Sequence, residues 1–211
     1  MRLDRWAWDG TALEFVDLHC FGEVQAVRWG QEGEVAALVR SPDRAGTELI
    51  VRSTQGEIGR RSYPRSEESV YLGDVSGGEV LLLRGRDRCE VLATENMEVR
   101  ACWVHPWASF GLPPGTLEST RLRFLRDGRV VCVAWAQIET PSGGRRSETR
   151  VSVVGRDGKV AAALEGWPTD LRRRRGERGA SSIQVDVLGS GAVLVSAPGE
   201  GAAVYEIPEP E

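Results

Sequence analysis

Lysine and asparagine are almost missing from this chain of 211 residues. Lys159 is the only lysine and Asn96 the only asparagine, so arginine carries nearly all of the positive charge. We read that bias as the codon usage of a GC-rich, bacterial genome and set it aside as a functional signal. Histidine is scarce as well, with only His19 and His105. The net charge is −4 at pH 7. A mildly acidic total excludes a global field that would draw nucleic acid or an anionic membrane.

Long apolar runs are missing too. None approaches the roughly 18 residues that suggest a membrane span. The start, Met1-Arg2-Leu3-Asp4-Arg5-Trp6, has no apolar signal-peptide core. A cytoplasmic location and no membrane partner are the expectations. The four cysteines, Cys20, Cys89, Cys102 and Cys132, show no CxxC spacing. They are expected to stay free thiols, with Cys132 inside an apolar strand run.

Catalytic motifs are absent in the same way. There is no GxSxG, no P-loop and no GxGxxG opening a helix, and neither histidine has a nucleophile-like context. Gly189-Ser190-Gly191 reads as a turn, because no helix follows it. His19, Cys20, Cys102 and His105 would form a tetrahedral zinc set only if their strands were neighbours, which the spacing does not require. The expectation is cysteines packed in sheets, histidines on the surface, and no cofactor or metal.

Helical periodicity is the last absence. What recurs is short β-branched or aromatic runs cut by Gly and Asp, the pattern of an all-β chain. The clearest stretch is Glu118–Leu164. It reads strand Arg121–Arg126, turn Asp127-Gly128, strand Arg129–Ile138, a polar loop, strand Ser147–Val154, turn Asp157-Gly158, strand Lys159–Leu164. Asp-Gly between two strand-like runs is a hairpin signal, since Gly tolerates positive φ. We label the four strands of such a unit a, b, c and d.

Weaker copies recur. One unit spans 24–61, with a at Val24–Trp29, b at Glu34–Arg40, c at Thr47–Ser53 and d at Glu57–Arg61. The next spans 69–104, with Ser69–Asp74, Glu79–Arg84, Cys89–Thr94 and Glu98–Val104. The Glu118–Leu164 unit follows. The last, 182–207, offers only a, b and c: Ser182–Leu188, Ala192–Ala197 and Ala202–Ile207. The N-terminal segment 2–18 supplies c and d, as Arg2–Trp8 and Thr11–Leu18 across Asp9-Gly10. Equivalent turns lie about 40–63 residues apart, the longer spacings carrying loop insertions. Strand b is the most uniformly apolar run of each unit, as suits an inner strand covered on both sides.

A repeat of about 40–50 residues with four strands marks a propeller blade. On these strand–Asp-Gly–strand units the chain resembles the propeller repeat families, in the loose sense of WD40, NHL and quinoprotein-type repeats. The Gly-His…Trp-Asp pairing of true WD40 repeats is absent. The resemblance implies an all-β fold in one domain, 1–211: a small or partial β-propeller of about four four-stranded antiparallel blades. Pairing Thr11–Leu18 with the last unit would close the ring and remove exposed edges. The other expectation is a β-sandwich with ordinary hairpins. An open ring would be completed by a partner or by a second copy, that is, a homo-oligomer.

Successive connections of a meander alternate between its two ends. The a–b and c–d turns are tight. The insertions fall on b–c and d–a connections: Trp103–Thr116 (d–a), Thr140–Arg146 (b–c) and Gly166–Ala180 (d–a). Binding residues are expected on such loops, held by a rigid frame. The first concentrates Trp103, Trp107 and Phe110 among three prolines, and aromatic rings are favoured interface anchors. Their other role is to plug the central opening or cap a blade. The last insertion carries Trp167 and Arg172, Arg173, Arg174 and Arg175, a cluster that grips carboxylate or phosphate, or else stays solvated.

These features point to a non-enzymatic protein-interaction or scaffold module, a subunit of a bacterial multiprotein assembly. Its partner is another protein, bound through Trp103, Trp107, Phe110, Trp167 and Arg172–Arg175. One alternative is a small-ligand or carbohydrate-processing propeller enzyme using Asp74 and Asp186, which occupy comparable places near the ends of their a strands. Another is an accessory subunit that meets a nucleic-acid-containing complex through Arg172–Arg175. The acidic total weakens that one.

Overall fold

Strand β4 (Val35–Arg40) shows how each sheet is built. Its residues are apolar at five successive positions, and side chains on a strand alternate between faces. In the computed structural model Val35, Ala37 and Val39 join Ile50, Leu18 and Cys20 in one cluster. Ala36 and Leu38 join Leu49, Val51 and Tyr63 in another, together with Leu72, Val75, Val80, Leu82 and Leu92 of the next sheet. Both faces of β4 are therefore covered. Each fully buried Val or Leu side chain contributes about 1.5–3 kcal/mol relative to exposure. The structure describes residues 2–6, 12–18, 20, 22–30, 33–53, 55–65, 69–85, 87–105, 117–139, 145–164, 183–197 and 201–209.

The chain divides into two compact units, Met1–Cys102 and Trp103–Glu211. The first holds a hairpin, β1 (Arg2–Trp6) with β2 (Ala12–Asp17), and two four-stranded meanders. One is β3 (Glu23–Trp29), β4, β5 (Gly46–Ser53) and β6 (Gly56–Pro64). The other is β7 (Val70–Ser76), β8 (Glu79–Arg84), β9 (Arg88–Ala93) and β10 (Val99–Val104), whose last two residues belong to the second unit. The second unit holds β11 (Leu117–Phe124), β12 (Val130–Glu139), β13 (Arg145–Val154) and β14 (Val160–Leu164), then a three-stranded sheet of β15 (Gln184–Val187), β16 (Val193–Ala197) and β17 (Gly201–Tyr205). Every sheet runs in sequence order. Four blade-like meanders and an N-terminal hairpin are thus present as the turn signals implied. The N-terminal hairpin stands as its own sheet, with β2 paired to β1. No helix among the described residues is long and apolar enough to cross a membrane.

The Asp-Gly turns are larger than a two-residue hairpin. Leu125 N donates to Arg129 O and Gly128 N to Leu125 O; Gly155, Lys159 and Gly158 repeat the frame, as do Leu188, Ala192 and Gly191. Gly128, Gly158 and Gly191 close these turns at φ +82°, +81° and +87°. This is a type I turn with a left-handed fourth residue. The aspartates lock it: Asp127 Oδ1 accepts from Arg129 N and Asp157 Oδ1 from Lys159 N, both at 3.0 Å.

Inside the second unit the same sandwich logic recurs. Val131, Val133, Val151 and Val153 of one sheet pack against Val185, Val193 and Val195 of the next. Arg129 Nη2 then ties down the chain beyond β17 by donating to Pro208 O at 2.8 Å.

Candidate functional site

The first strand of each of the four meanders carries a charge at one register position. Trp29, Val75, Phe124 and Val187 stand opposite Val35, Val80, Val130 and Val193. One residue earlier come Arg28, Asp74, Arg123 and Asp186, so the sign alternates from sheet to sheet. The arginines reach across to the next sheet of their own unit. Arg28 Nε donates to Gly73 O at 3.0 Å and Nη1 to its own neighbour Val27 O at 2.8 Å. Arg123 Nε donates to Val185 O at 2.9 Å and Nη1 to Leu122 O at 3.3 Å. Gly73 directly precedes Asp74, and Val185 directly precedes Asp186. Both units therefore use one staple at one place. Arg121 adds a second staple, to Ile183 O at 3.2 Å. Burial, and then the Arg123 charge, lowers the Arg121 pKa from the usual arginine value. Asp74 and Asp186 are thus the residues that follow the two stapled carbonyls. Asp74 Oδ1 accepts from Val75 N at 3.0 Å.

The strand ends locate the expected binding segments. β11 begins, β12 passes to β13, and β14 ends at the same end of one sheet, because antiparallel neighbours alternate in direction. Residues 106–116, 140–144 and 165–182 join the sheet there, and they lie outside the described residues. With them go Trp107, Phe110, Trp167 and Arg172–Arg175. The b–c insertion is shorter than expected, because β12 and β13 run on to the pair Glu139–Arg145. Their ribbon overruns both flanking strands: Leu117 stands at Ala136, and Leu164 at Val151.

Trp103 is the one expected contact residue within the described residues. It is 7% exposed. Its side chain lies on Gly158, where an added Cβ would sit 2.5 Å from Trp103 Cβ. Gly158 belongs to the β13–β14 turn, at the end of the sheet opposite the three segments. Trp103 is thus buried over this turn. Two residues on, His105 is 2% exposed, where a surface histidine was expected. Burial lowers its pKa to about 4. Cys20, Cys89 and Cys132 are buried thiols, while Cys102 is exposed rather than packed. Burial, then the neighbouring Cys102 and Asp87, pushes the Cys89 thiol up to about 12. His19 lies outside the described residues. Among them no three His, Cys, Asp or Glu side chains gather as a metal would require.

The first unit brings together a set that the sequence reading did not single out. A cavity of about 390 Å³ lies between the β4–β5 turn, the end of β6 and the start of β7. Those are again a b–c and a d–a connection. Arg40, Arg44 and Arg65 line it with Thr47, Ser69 and Tyr71, and no acid is among the described lining residues. Arg40 is tethered: Nη1 lies 3.3 Å from Glu23 Oε2. With its amide oxygen turned inward, Gln25 accepts from Arg40 Nε at 3.2 Å and Nη2 at 2.6 Å, and donates to Thr47 Oγ1 at 3.2 Å.

Arg44 holds φ 57°, a left-handed conformation that few side chains other than glycine adopt. The turn enforces it. Arg44 N donates to Ser41 O and Ala45 N to Asp43 Oδ1, both at 2.9 Å, and the Ser41 hydroxyl donates to the same carboxylate. The Ser41 bond, then the Ala45 bond, holds the Asp43 carboxyl below its ordinary pKa. Arg65 N donates to Ala45 O at 2.8 Å and fastens the end of β6 to this turn. Among the described residues neither Arg44 nor Arg65 has an ion pair. By contrast, buried Glu90 lies 3.6 Å from Arg84 and 2.8 Å from Arg88. Tyr63 forms part of the cavity wall, with the Arg84 and Arg61 guanidinium carbons 4.9 and 5.3 Å from its ring centre. Tyr71 at the mouth is 55% exposed.

No protein-family model matches the sequence, and no curated protein matches it in sequence either. Solved structures do match in fold. The WD40 β-propeller domain of Doa1 aligns with a TM-score of 0.50 at 11% identity, over 88% of this chain and 51% of that one. BamB from Moraxella catarrhalis aligns with a TM-score of 0.47 at 11% identity, over 92% of this chain and 53% of that one. The chain spans about half the length of the structures it matches. At that identity the likeness speaks to fold alone. The in-order meanders, three of them with a second strand buried on both faces, and their likeness to the Doa1 domain give this chain the β-propeller fold, built of blade repeats whose subfamily no motif in it marks.

Proposed function

We propose that this chain is a non-enzymatic protein-interaction module, a scaffold subunit of a bacterial, cytoplasmic multiprotein assembly. What supports the reading is that the start of β11, the β12 and β13 ends that meet, and the end of β14 all lie at one end of their sheet, so the expected insertions attach there. A rigid meander with its elaborated connections at one end suits a single contact surface. Trp107, Phe110 and Trp167 are its aromatic anchors, and Arg172–Arg175 its charged grip. Trp103 fixes the start of the first segment. The first unit supports the choice: its own b–c and d–a connections surround the Arg40, Arg44 and Arg65 cavity. Asp74 and Asp186 serve as framework in this reading, alternating with the stapling arginines.

The test is affinity capture from the native host with three baits: wild type, Trp107→Ala, and an Arg172–Arg175 charge swap to glutamate. The expected result is a stoichiometric protein partner held by the wild type and lost from both variants. Retention of every partner by both variants would refute the surface. A captured complex that dissolves on nuclease treatment would favour nucleic-acid contact instead.

A further inference from the structure

We infer that the arginine cavity of the first unit is a carboxylate-binding site, and that its ligand is an acidic segment of a protein. The inference deepens the interaction reading above and rests on it for the class of partner.

Three observations point there. The first is charge. Three guanidinium groups line one cavity with no acid among its described lining residues. Glu23 offsets Arg40 only from the outside, 71% exposed itself. The second is preparation. Thr47 and Gln25 orient Arg40, while the strained Ser41–Ala45 turn and its bond to Arg65 N hold Arg44 and Arg65 close together. A left-handed arginine is a conformational cost that a glycine would avoid, and such costs gather at sites of use. The third is shape. About 390 Å³ is near the small end of ligand cavities, room for a side chain or two. Planar guanidinium groups hold a carboxylate by paired hydrogen bonds, and Tyr71 offers a ring to the aliphatic stem behind it. The net charge of −4 repels a long polyanion more than a short acidic segment, which sets nucleic acid second.

Titration calorimetry tests this with a hexaglutamate peptide, a hexaglutamine peptide and a single-stranded oligonucleotide as probes. The proteins are the wild type, R44G, R65A and E67Q/E68Q; the last removes the acids nearest Arg65 in sequence. The expected result is salt-sensitive binding of hexaglutamate only. R44G and R65A should each weaken it about tenfold, the scale of one lost charged hydrogen bond. Circular dichroism should be unchanged. Binding equal in wild type, R44G and R65A overturns the site. So does the absence of binding in both the wild type and E67Q/E68Q, and so does tighter binding of the oligonucleotide through the same residues. A failure here with partner capture intact removes the cavity but not the interaction module. Lost capture with hexaglutamate binding intact does the reverse.

Discussion

Arg123 Nε meets the carbonyl of Val185 at 2.9 Å, and Arg28 makes the same bond to Gly73 in the other unit. Each bond joins the first strands of two successive sheets. The donor is charged and partly buried, and the acceptor is a backbone carbonyl. Removing such a donor costs about 1.5–3 kcal/mol. Arg28→Met is expected to lower the urea midpoint with little change in slope. Amide exchange should rise in Val70–Ser76 and stay unchanged in Gln184–Val187. Arg123→Met should give the mirror result. Arg→Lys should recover only part of the loss, since a single ammonium on a flexible stem replaces a planar fork that reaches two carbonyls at once.

Those arginines also mark where sequence reasoning stopped. The apolar b strands were legible, because Val35–Val39, Val80–Leu83 and Val130–Ala134 are buried on both faces and carry no polar alternation. The blade order was legible from the Gly positions, since positive φ leaves few other choices. Arg28 and Arg123 were not legible. An arginine on a strand ordinarily reads as a solvated position, and only the neighbouring sheet reveals its acceptor. The cavity was hidden for a related reason. Arg40, Thr47 and Tyr71 come from three different strands, and Arg65 directly follows a fourth. Arg44 adds a backbone conformation that its residue type argues against. The β1–β2 pairing was legible from Asp9-Gly10, whereas pairing of Thr11–Leu18 with the last unit is not in the sheet order, since edge strands choose neighbours by tertiary context.

Gly158 is the floor under Trp103. It holds φ +81°, and an added Cβ would lie 2.5 Å from Trp103 Cβ. Left-handed backbone costs a side chain roughly 1–2 kcal/mol before any clash is counted. Gly158→Val adds branching against the Trp103 side chain, which is buried and has little room to move. The expected outcome is a loss of at least about 2 kcal/mol. The tryptophan emission should shift to the red as Trp103 meets water. Gly189→Ala, where an added Cβ meets nothing, is the control.

His105 gives the fold a pH dependence. Burial lowers its pKa from 6.5 to about 4. The unfolded chain therefore takes up this proton first as the pH falls. Stability from this group is fully present above about 6.5, declines through the window, and is gone below about 4. Its amplitude is on the order of 3 kcal/mol at most. His105→Phe should flatten the profile of urea midpoint against pH between those values. The carboxylates act lower. Asp127 is pushed up by burial but carried below the usual value by the Arg129 side-chain and backbone bonds. Its contribution is present above the ordinary aspartate range and is lost as the pH falls through its lowered pKa. A wild-type profile flat from neutral pH down to the aspartate range would contradict the burial of His105.

Arg44 separates what stabilises the fold from what serves the cavity. Its φ of 57° costs an ordinary side chain roughly 1–2 kcal/mol, and glycine removes that cost. Glycine also gives the unfolded chain more freedom, which costs the folded state about 0.4–1 kcal/mol. Arg44 has no ion pair among the described residues to lose. The turn keeps its bonds from Arg44 N and Ala45 N, because both are backbone donors. Arg44→Gly is therefore expected to leave the urea midpoint unchanged or raise it, a gain in stability of up to about 1.6 kcal/mol. Asp43→Ala is expected to lower it instead, since Ala45 N and the Ser41 hydroxyl both lose their acceptor. A chain that holds arginine where glycine would fold as well retains it for the side chain. If Arg44→Gly proved markedly destabilising, the guanidinium would be part of the fold, and its presence at the cavity would need no ligand to explain it.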